Sequence, residues 1–259
     1  MQPEWSHQRV FITGASSGIG AALAAHYAAL GATLGLLARR GAALDQLIAT
    51  LPHPERHRAY AVDVCDHAAL KSAAQDFIGY AGHIDVVIAS AGVSYGTLSE
   101  HAEDLDAFAR LIAINVTATV ATFAPFIAAM KSQGSGRLVG IGSVAGIRGL
   151  PGAEAYSASK AAVISYCESL RLELKPASIK VVTIMPGYID TPMTRHNAYR
   201  MPFLMPADKF AVRAARAIAD GDSYRVIPWQ MGVVAKLLRA LPNAVYDRVF
   251  ANAPHKARN

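Results

Sequence analysis

The sequence lacks the clustered basic residues of nucleic-acid-binding proteins and the long apolar runs of membrane proteins. Only 17% of its residues are charged, and its 25 lysines and arginines are scattered along the chain instead of standing in runs. A formal net charge of +6 would suit a polyanion, but nucleic-acid binding needs a clustered basic surface, so we expect no nucleic-acid partner. No uninterrupted apolar run reaches the ~20 residues that a membrane-spanning helix needs. The sequence therefore predicts a soluble protein.

Cysteine is scarce as well. Cys65 and Cys167 are isolated and lack the spacing of a metal site, and the polar start of the chain, residues 1–8, does not read as a secretory leader. We therefore expect no disulfide framework, no metal and a cytoplasmic setting. A hydrophobic content of 53% excludes disorder and favours a well-buried α/β sheet or extensive subunit contacts. At this length the expectation is one domain spanning residues 1–259.

A predicted strand, a glycine-rich turn and a helix open the chain. Residues 9–13 form a short apolar run, and an alanine-rich stretch reaches Leu30. Between them lie Gly14, Ser16, Ser17, Gly18, Ile19 and Gly20. Glycines let the backbone approach a pyrophosphate, and the free amides at a helix N-terminus hold its charge. The turn therefore predicts a dinucleotide site, with a plain glycine-rich turn as the alternative. Its glycines are spaced differently from the commoner dinucleotide fingerprint.

The end of the second predicted strand, residues 32–38, indicates which dinucleotide is bound. NAD sites usually place Asp or Glu about 20 residues beyond the glycines, whereas basic residues accommodate the 2′-phosphate of NADP. This chain has Arg39 and Arg40 there and no carboxylate. A guanidinium can grip a phosphate in bidentate fashion, so we favour NADP over NAD. The alternative is a pair of solvated arginines at the start of a helix.

Strands and helices alternate through the rest of the chain, which predicts a parallel sheet with its ligand crevice at the carboxyl ends of the strands. Further strands are predicted at 58–62, 84–89, 137–142, 180–185 and 224–228, helices at 66–82 and 153–175, and a long amphipathic stretch at 100–131. Residues that end or follow these strands are Asp63, Val64, Ser90, Ala91, Gly92, Ser143, Pro186, Gly187, Ile189 and Thr191. Asn115 stands among apolar residues of the amphipathic stretch, where a structural amide and a catalytic role are both open.

Tyr156 and Lys160 lie four residues apart near the start of the helix predicted at 153–175, so their side chains share one face. A nearby cation stabilises a phenolate and lowers the pKa of a tyrosine toward working pH, which makes the tyrosine a usable proton donor or acceptor. An ordinary surface pair is the alternative. Tyr156 is the only tyrosine of this chain with a lysine four residues on.

In combination these residues resemble the short-chain dehydrogenase/reductase family over nearly the whole chain. The matching residues, in the expected order, are Thr13-Gly14-x-x-x-Gly18-Ile19-Gly20, Asp63, Ala91-Gly92, Asn115, Ser143, Tyr156-x-x-x-Lys160, Pro186-Gly187 and Thr191. The resemblance implies a doubly wound Rossmann-like α/β fold with a seven-stranded parallel sheet and a nicotinamide cofactor. It also implies hydride transfer between an alcohol and a carbonyl, by a homodimer or homotetramer. Ser90 departs from the asparagine that the family usually has at this point.

The same resemblance implies a role for each site residue. Tyr156 would act as general acid or base, Lys160 would lower its pKa and bind the nicotinamide ribose, and Ser143 would donate a hydrogen bond to the developing oxyanion. Asn115 would hold a water that links Lys160 to solvent. Contacts with the cofactor are implied for Gly14, Ser16, Ile19, Arg39, Asp63 and Thr191. The alternative function is a catalytically silent dinucleotide-binding sensor or scaffold.

Two late segments bear on substrate and partners. Residues 186–206 would cover the active site as a lid, and they carry Met193, Met201, Phe203, Leu204 and Met205 beside Arg195, His196 and Arg200. Flexible thioethers favour a bulky hydrophobic carbonyl or alcohol, although these side chains could equally pack the lid itself. Residues 229–250 have helically spaced apolar residues, broken by Pro242 and interleaved with Lys236, Arg239 and Arg248. We favour packing of these apolar residues within the subunit or in an oligomer, with peripheral membrane contact as the alternative.

Overall fold

The computed structural model of the protein describes residues 7–197, 199–251 and 256. A seven-stranded sheet with all neighbours parallel runs through it in the order β3-β2-β1-β4-β5-β6-β9. Its strands are β1 Arg9–Thr13, β2 Thr33–Ala38, β3 Arg58–Ala61, β4 Val86–Ala89, β5 Gly136–Ile141, β6 Ile179–Pro186 and β9 Tyr224–Ile227. Two short strands, β7 Ile189–Asp190 and β8 Met205–Pro206, pair separately. The predicted α/β class and the seven-stranded parallel sheet are confirmed, whereas the sequence patterns do not predict β7 and β8.

Helices connect the strands. They are α1 Gly18–Ala29, α2 Gly41–Thr50, α3 His67–Ala81, α4 Asp104–Ile112, α5 Ala118–Gln133, α6 Glu154–Leu174, α7 Ala207–Asp220, α8 Trp229–Ala240 and α9 Asn243–Phe250. The helices predicted at 66–82 and 153–175 and the break at Pro242 are confirmed. Helix α7 has no counterpart in the sequence prediction, and α2 appears there only as a possible helix start at Arg39 and Arg40. The amphipathic stretch at 100–131 forms two α-helices joined by a π-helical turn, Ala113–Thr117.

Helices pack on both faces of the sheet, with α1, α2 and α7 on one face and α3, α5 and α6 on the other. Successive residues of a strand point to opposite faces. In β1, Ile12 accordingly packs toward the first layer and Phe11 toward the second, where its ring centre lies 5.7 Å from that of Phe77 and 4.9 Å from that of Phe126. Because both faces are covered, the strands read as continuous apolar runs in the sequence.

Among the described residues, one helical stretch, Asp104–Gln133, is long and apolar enough to cross a membrane, with a mean hydropathy of 1.8. This differs from the expectation drawn from uninterrupted runs, because a mean hydropathy tolerates scattered polar residues. In the fold 44% of that stretch's apolar window is buried, and α5 packs against α3 and β4. Core helices pass the same test, so the stretch is weak support for a membrane span.

The strand order reverses between β1 and β4, and such a reversal opens a ligand crevice at the carboxyl ends of the strands. Gly14 after β1 and Ala91 after β4 approach each other closely there. A Cβ atom at Gly14 would lie 2.7 Å from the backbone nitrogen and Cα of Ala91, and Gly14 has a φ of +68°. Only glycine suits this position, since any side chain would force the two loops apart.

Candidate active site

A cleft at this reversal encloses about 1330 Å³ of atom-free space and is open to solvent. Its lining runs from the glycine-rich turn after β1, past the ends of β4 and β5, to the segment after β6, so an extended ligand can lie along it. It is lined by every residue that the sequence assigns to the cofactor or to catalysis except Asn115. These residues are Gly14, Ser16, Ser17, Gly18, Ile19, Gly20, Arg39, Arg40, Asp63, Val64, Ser90, Ala91, Gly92, Ser143, Tyr156, Lys160, Pro186, Gly187, Ile189 and Thr191.

The glycine-rich turn gives the cleft an anion-binding end. Helix α1 begins at Gly18 directly beside the cleft, and the side chain of Ser17, which precedes it, makes no capping hydrogen bond. The first amides of a helix have no partner within the helix and carry the positive end of its dipole. The turn therefore fits the pyrophosphate of a dinucleotide cofactor.

Arg39 and Arg40 follow β2 at the same end of the cleft. The Nη2 atom of Arg40 donates hydrogen bonds to Ser16, at 3.1 Å to Oγ and 3.4 Å to the carbonyl oxygen. Arg39 is exposed. The side chain of Asp63, after β3, accepts from the amide of Cys65 at 2.9 Å and so orders the neighbouring loop. The guanidinium of Arg40 is thus fixed beside the glycine-rich turn.

Ser143, Tyr156 and Lys160 converge across β5 and α6. Ser143 follows the carboxyl end of β5, where its Oγ accepts from the amide of Ala145 at 3.1 Å and begins a short 3₁₀ turn. Lys160 lies one turn after Tyr156 on α6, with Nζ 5.8 Å from the centre of the phenol ring. That Nζ atom donates to the carbonyl oxygen of Ile141, the last residue of β5, at 2.8 Å. The sheet edge and the helix are tied together at the site.

The pKa values of this group differ from the expectation that Lys160 lowers the pKa of Tyr156. Burial raises the pKa of the Tyr156 phenol, and a hydrogen bond with the Ser143 side chain opposes part of the rise. Burial lowers the pKa of Lys160 to about 8, against a weaker opposing effect of the Cys167 thiol. In the protein alone the phenol is held protonated, and desolvation dominates both groups because Lys160 is buried and Tyr156 is partly buried.

Asn115 lies in the π-helical turn behind the cleft and is 1% exposed. Its Oδ1 accepts from the amide of Val93 at 2.9 Å, and its Nδ2 donates to the carbonyl oxygen of Val93 and to Oγ of Ser159, each at 3.0 Å. π-helical turns often mark functional sites. Asn115 is therefore a positioning residue that clamps the loop after β4 to α6. Its water-mediated link to Lys160 stays a prediction.

The model of the family described as short chain dehydrogenase matches residues 8–201. The chain belongs to the short-chain dehydrogenase family. An uncharacterized oxidoreductase of Myxococcus xanthus is 34% identical over 248 residues, covering 94% of this chain and 96% of the relative. This short-chain dehydrogenase is accordingly an oxidoreductase.

Two further similar proteins carry more specific names. A 2-dehydro-3-deoxy-L-rhamnonate dehydrogenase (NAD(+)) of Sphingomonas sp. is 36% identical over 182 residues, covering 70% of this chain and 72% of the relative. The structure of a 3-ketoacyl-(acyl-carrier-protein) reductase of Brucella melitensis complexed with NADH superposes with a TM-score of 0.78 at 24% identity. That match covers 86% of this chain and 97% of the reductase, and it shows the fold alone.

Several residues that support the site of this short-chain dehydrogenase are absent from the sequence-based assignment. Oγ of Ser159 donates to the carbonyl oxygen of Tyr156 at 2.8 Å and accepts from Asn115. The hydroxyl of Thr13 accepts from the amide of Ala91 at 3.4 Å, so Thr13 and Asn115 hold the loop in which Ser90 replaces the usual asparagine. The cleft is also lined by Ala38, Val62, Val93, Ile114, Ile141, Gly142, Pro192 and Thr194, and by Met193, which the sequence placed in the predicted lid. Adjacency to assigned residues at strand ends is the one sequence signal that could have found them.

The predicted lid, 186–206, is described apart from residue 198. Strands β7 and β8 pair its two ends, and Oγ1 of Thr194 donates to the carbonyl oxygen of Ile189 at 2.6 Å. Met193 lines the cleft, whereas Phe203 and Leu204 are about half exposed and Met205 is buried in the core. Only part of the apolar surface expected over the site therefore faces it.

The lowered pKa of Lys160 gives the stability of this short-chain dehydrogenase a defined pH dependence. The ordinary pKa is 10.5 and the folded value about 8, so between these values the unfolded chain binds the proton more tightly. The burial of Lys160 therefore lowers the free energy of unfolding below about pH 8. As the pH rises toward 10.5, the free energy of unfolding recovers by up to about 3 kcal/mol. Relative to Lys160→Met, the wild-type free energy of unfolding is expected to rise over this range.

Urea unfolding at several pH values measures this difference, with Lys236→Met, at an exposed position of α8, as the control. Burial also raises the pKa of Cys167, to about 11. In both wild type and Lys160→Met, this makes the free energy of unfolding fall as the pH rises, opposite to the effect of Lys160. Its effect therefore largely cancels in the difference. A constant gap between wild type and Lys160→Met from about pH 7 to pH 10 would contradict the burial of a titrating lysine.

Proposed function

We propose that this short-chain dehydrogenase transfers a hydride between NADP(H) and a carbonyl or alcohol group of a small, partly hydrophobic substrate. The convergence of Tyr156, Ser143 and Lys160 in the cleft that also holds the glycine-rich turn is the observation that carries the proposal. When bound, the cofactor supplies or accepts the hydride. The side chains of this protein carry out the other steps, which are substrate binding, charge stabilisation and proton transfer.

The phenol of Tyr156 is held protonated by burial, as a proton donor to a carbonyl oxygen must be. Ser143 hydrogen-bonds to it, so both hydroxyls can meet one substrate oxygen, and Ser143 stabilises the charge that develops there. In the oxidative direction Tyr156 takes the proton back. Lys160 lies on the cleft wall, where its ammonium can bind the ribose hydroxyls of the cofactor and stabilise a phenolate.

The NADP preference rests on Arg40. Its guanidinium is fixed by Ser16 beside the glycine-rich turn, next to the exposed Arg39, and a charge-assisted bidentate contact suits a 2′-phosphate. The names of the Sphingomonas relative and the Brucella structure point to NAD and NADH, which makes NAD the competing cofactor.

Arg40→Ser is expected to raise the Kd for NADPH about 10- to 100-fold, because a hydrogen bond to a charged group contributes about 1.5–3 kcal/mol. The Kd for NADH should change little. Fluorescence titration with both cofactors measures this, and Arg216→Ser, at an exposed position on α7, is the matched control. A wild-type preference for NADH, or equal loss of both affinities, would contradict the NADP assignment.

A panel of ketones, aldehydes and sterols assayed with NADPH and with NADH tests the proposed reaction. Turnover of apolar carbonyls supports it, whereas exclusive turnover of small polar sugars would overturn the hydrophobic part. Binding of the cofactor without any turnover would favour the alternative, a sensor or scaffold. The presence of Tyr156, Lys160 and Ser143 in one cleft argues for the enzyme.

The C-terminal helices bear on partners. Exposed apolar side chains recur every four residues within each helix, at Trp229, Val233 and Leu237 in α8 and at Val245 and Val249 in α9. Much of the surface of these side chains is exposed, so we favour a homodimer or homotetramer that covers them over peripheral membrane contact. Light scattering measures the first and liposome flotation the second. A cytoplasmic location stays part of the proposal, tested by cell fractionation.

A further inference from the structure

A second lysine stands beside the phenol of Tyr156. The Nζ atom of Lys256 lies 5.9 Å from the centre of the phenol ring, nearly the same distance as Nζ of Lys160. It donates a hydrogen bond to Oγ of Ser94, on the loop after β4, at 2.8 Å. Lys256 comes from the far end of the chain, and the sequence pattern assigns it no role.

This ammonium is half-buried, and the described part of the chain places no countercharge beside it. Within residues 7–197, 199–251 and 256, no carboxylate lies within 4.0 Å of Nζ of Lys256, and burial lowers its pKa. Burying a cation costs free energy unless it is paired, and Ser94 supplies only a neutral acceptor. An ammonium has three donors, so two remain beside Ser94 for a ligand.

The C-terminal segment is held against the loop that follows Ser143. Nη1 of Arg148 donates to the carbonyl oxygens of Leu238 and Leu241 at the end of α8, at 2.5 and 2.7 Å. Its guanidinium also lies 3.8 Å from the centre of the Tyr246 ring, and the hydroxyl of Tyr246 donates to the carbonyl oxygen of Gly149 at 2.6 Å. Helix α9 therefore starts from a fixed position near the site.

From this placement we propose that Lys256 is a specificity-determining residue that binds a negatively charged group of the substrate, a carboxylate or a phosphate, close to the reacting carbonyl. The inference deepens the proposed function and rests on it, because Tyr156 marks where that carbonyl lies. A substrate carrying its anion one or two carbons from the carbonyl would place the charge at Lys256 and its apolar part toward Met193.

The test uses two pairs of carbonyl compounds that differ only in charge, benzoylformate with its methyl ester and dihydroxyacetone phosphate with dihydroxyacetone. We expect wild type to prefer the anion of at least one pair by tenfold or more in kcat/KM. Lys256→Met should remove this preference mainly through KM and leave the neutral partner unchanged, and Lys256→Arg should restore much of it. The preferred pair tells carboxylate from phosphate.

Lys236→Met, on exposed α8, is the control and should behave as wild type. A binding readout separates this inference from the proposed function: calorimetry of mandelate and methyl mandelate with the cofactor-bound protein. Charge-selective binding that depends on Lys256, without turnover of any carbonyl, would support the inference and overturn the proposed function. Turnover of neutral ketones, with an acid-to-ester ratio unaltered by Lys256→Met, would leave the function standing and overturn the inference.

Discussion

Tyr156→Phe is expected to lower kcat by about 10²- to 10⁴-fold, the range that a positioned general acid or base contributes. Phenylalanine keeps the ring on α6 and removes the hydroxyl that we propose exchanges a proton with the substrate. Steady-state rates with the best carbonyl of the panel measure the loss. Fluorescence titration should show that cofactor affinity is largely unchanged, because the contacts of the glycine-rich turn and Arg40 are untouched.

Tyr166→Phe provides a matched control on the same helix. Its ring stacks on Phe123, with ring centres 6.3 Å apart, and it does not line the cleft. This variant should retain close to wild-type activity. Substantial activity of Tyr156→Phe, or an equal loss in both variants, would show that the proton comes from another group.

Asn115→Leu is expected to lower the free energy of unfolding by about 2–4 kcal/mol. Leucine has the same number of side-chain heavy atoms but leaves the amide and the carbonyl of Val93 without their partner, and each unsatisfied buried group costs about 1–3 kcal/mol. Since Gly92 and Val93 line the cleft, the affinity for the cofactor should fall as well. Urea unfolding and cofactor titration measure the two effects.

Thr122→Val is the control for a buried polar group on the adjoining helix. The hydroxyl of Thr122 is 2.7 Å from the carbonyl oxygen of Ala118, a contact within α5 that does not reach the site. This variant should lose about 1 kcal/mol and keep its cofactor affinity. If Asn115→Leu lowered the free energy of unfolding no more than Thr122→Val does, the hydrogen bonds by which Asn115 joins the loop after β4 to α6 would make no special contribution to stability.

Much of the fold could be predicted from local patterns. Apolar runs bounded by glycine or polar residues predicted all seven strands of the large sheet, because strands covered on both faces are continuously apolar. Helix α7 was not predicted, and for α2 only a possible start at Arg39 and Arg40 was. The π-helical turn at Asn115 was not predicted either, because its sequence periodicity differs too little from that of the flanking helices.

The assigned site residues could be found because a parallel sheet gathers whatever follows its strands at one edge. The apolar lid was less predictable. Met193 and Met205 look alike in the sequence, yet one lines the cleft and the other is buried in the core. Composition cannot say which way a side chain of an irregular segment points, since no helical or strand period constrains it.

The sequence by itself determined the parallel sheet, the glycine-rich turn and the spacing of Tyr156 and Lys160, since each depends on residues close together in the chain. Only the tertiary structure decided the pKa directions at Tyr156 and Lys160, because they follow from burial by the surrounding fold. It also placed Lys256 beside Ser94, 162 positions away in the chain. No local periodicity of the sequence indicates this contact, because it depends on how the tertiary structure brings residue 256 back to the site.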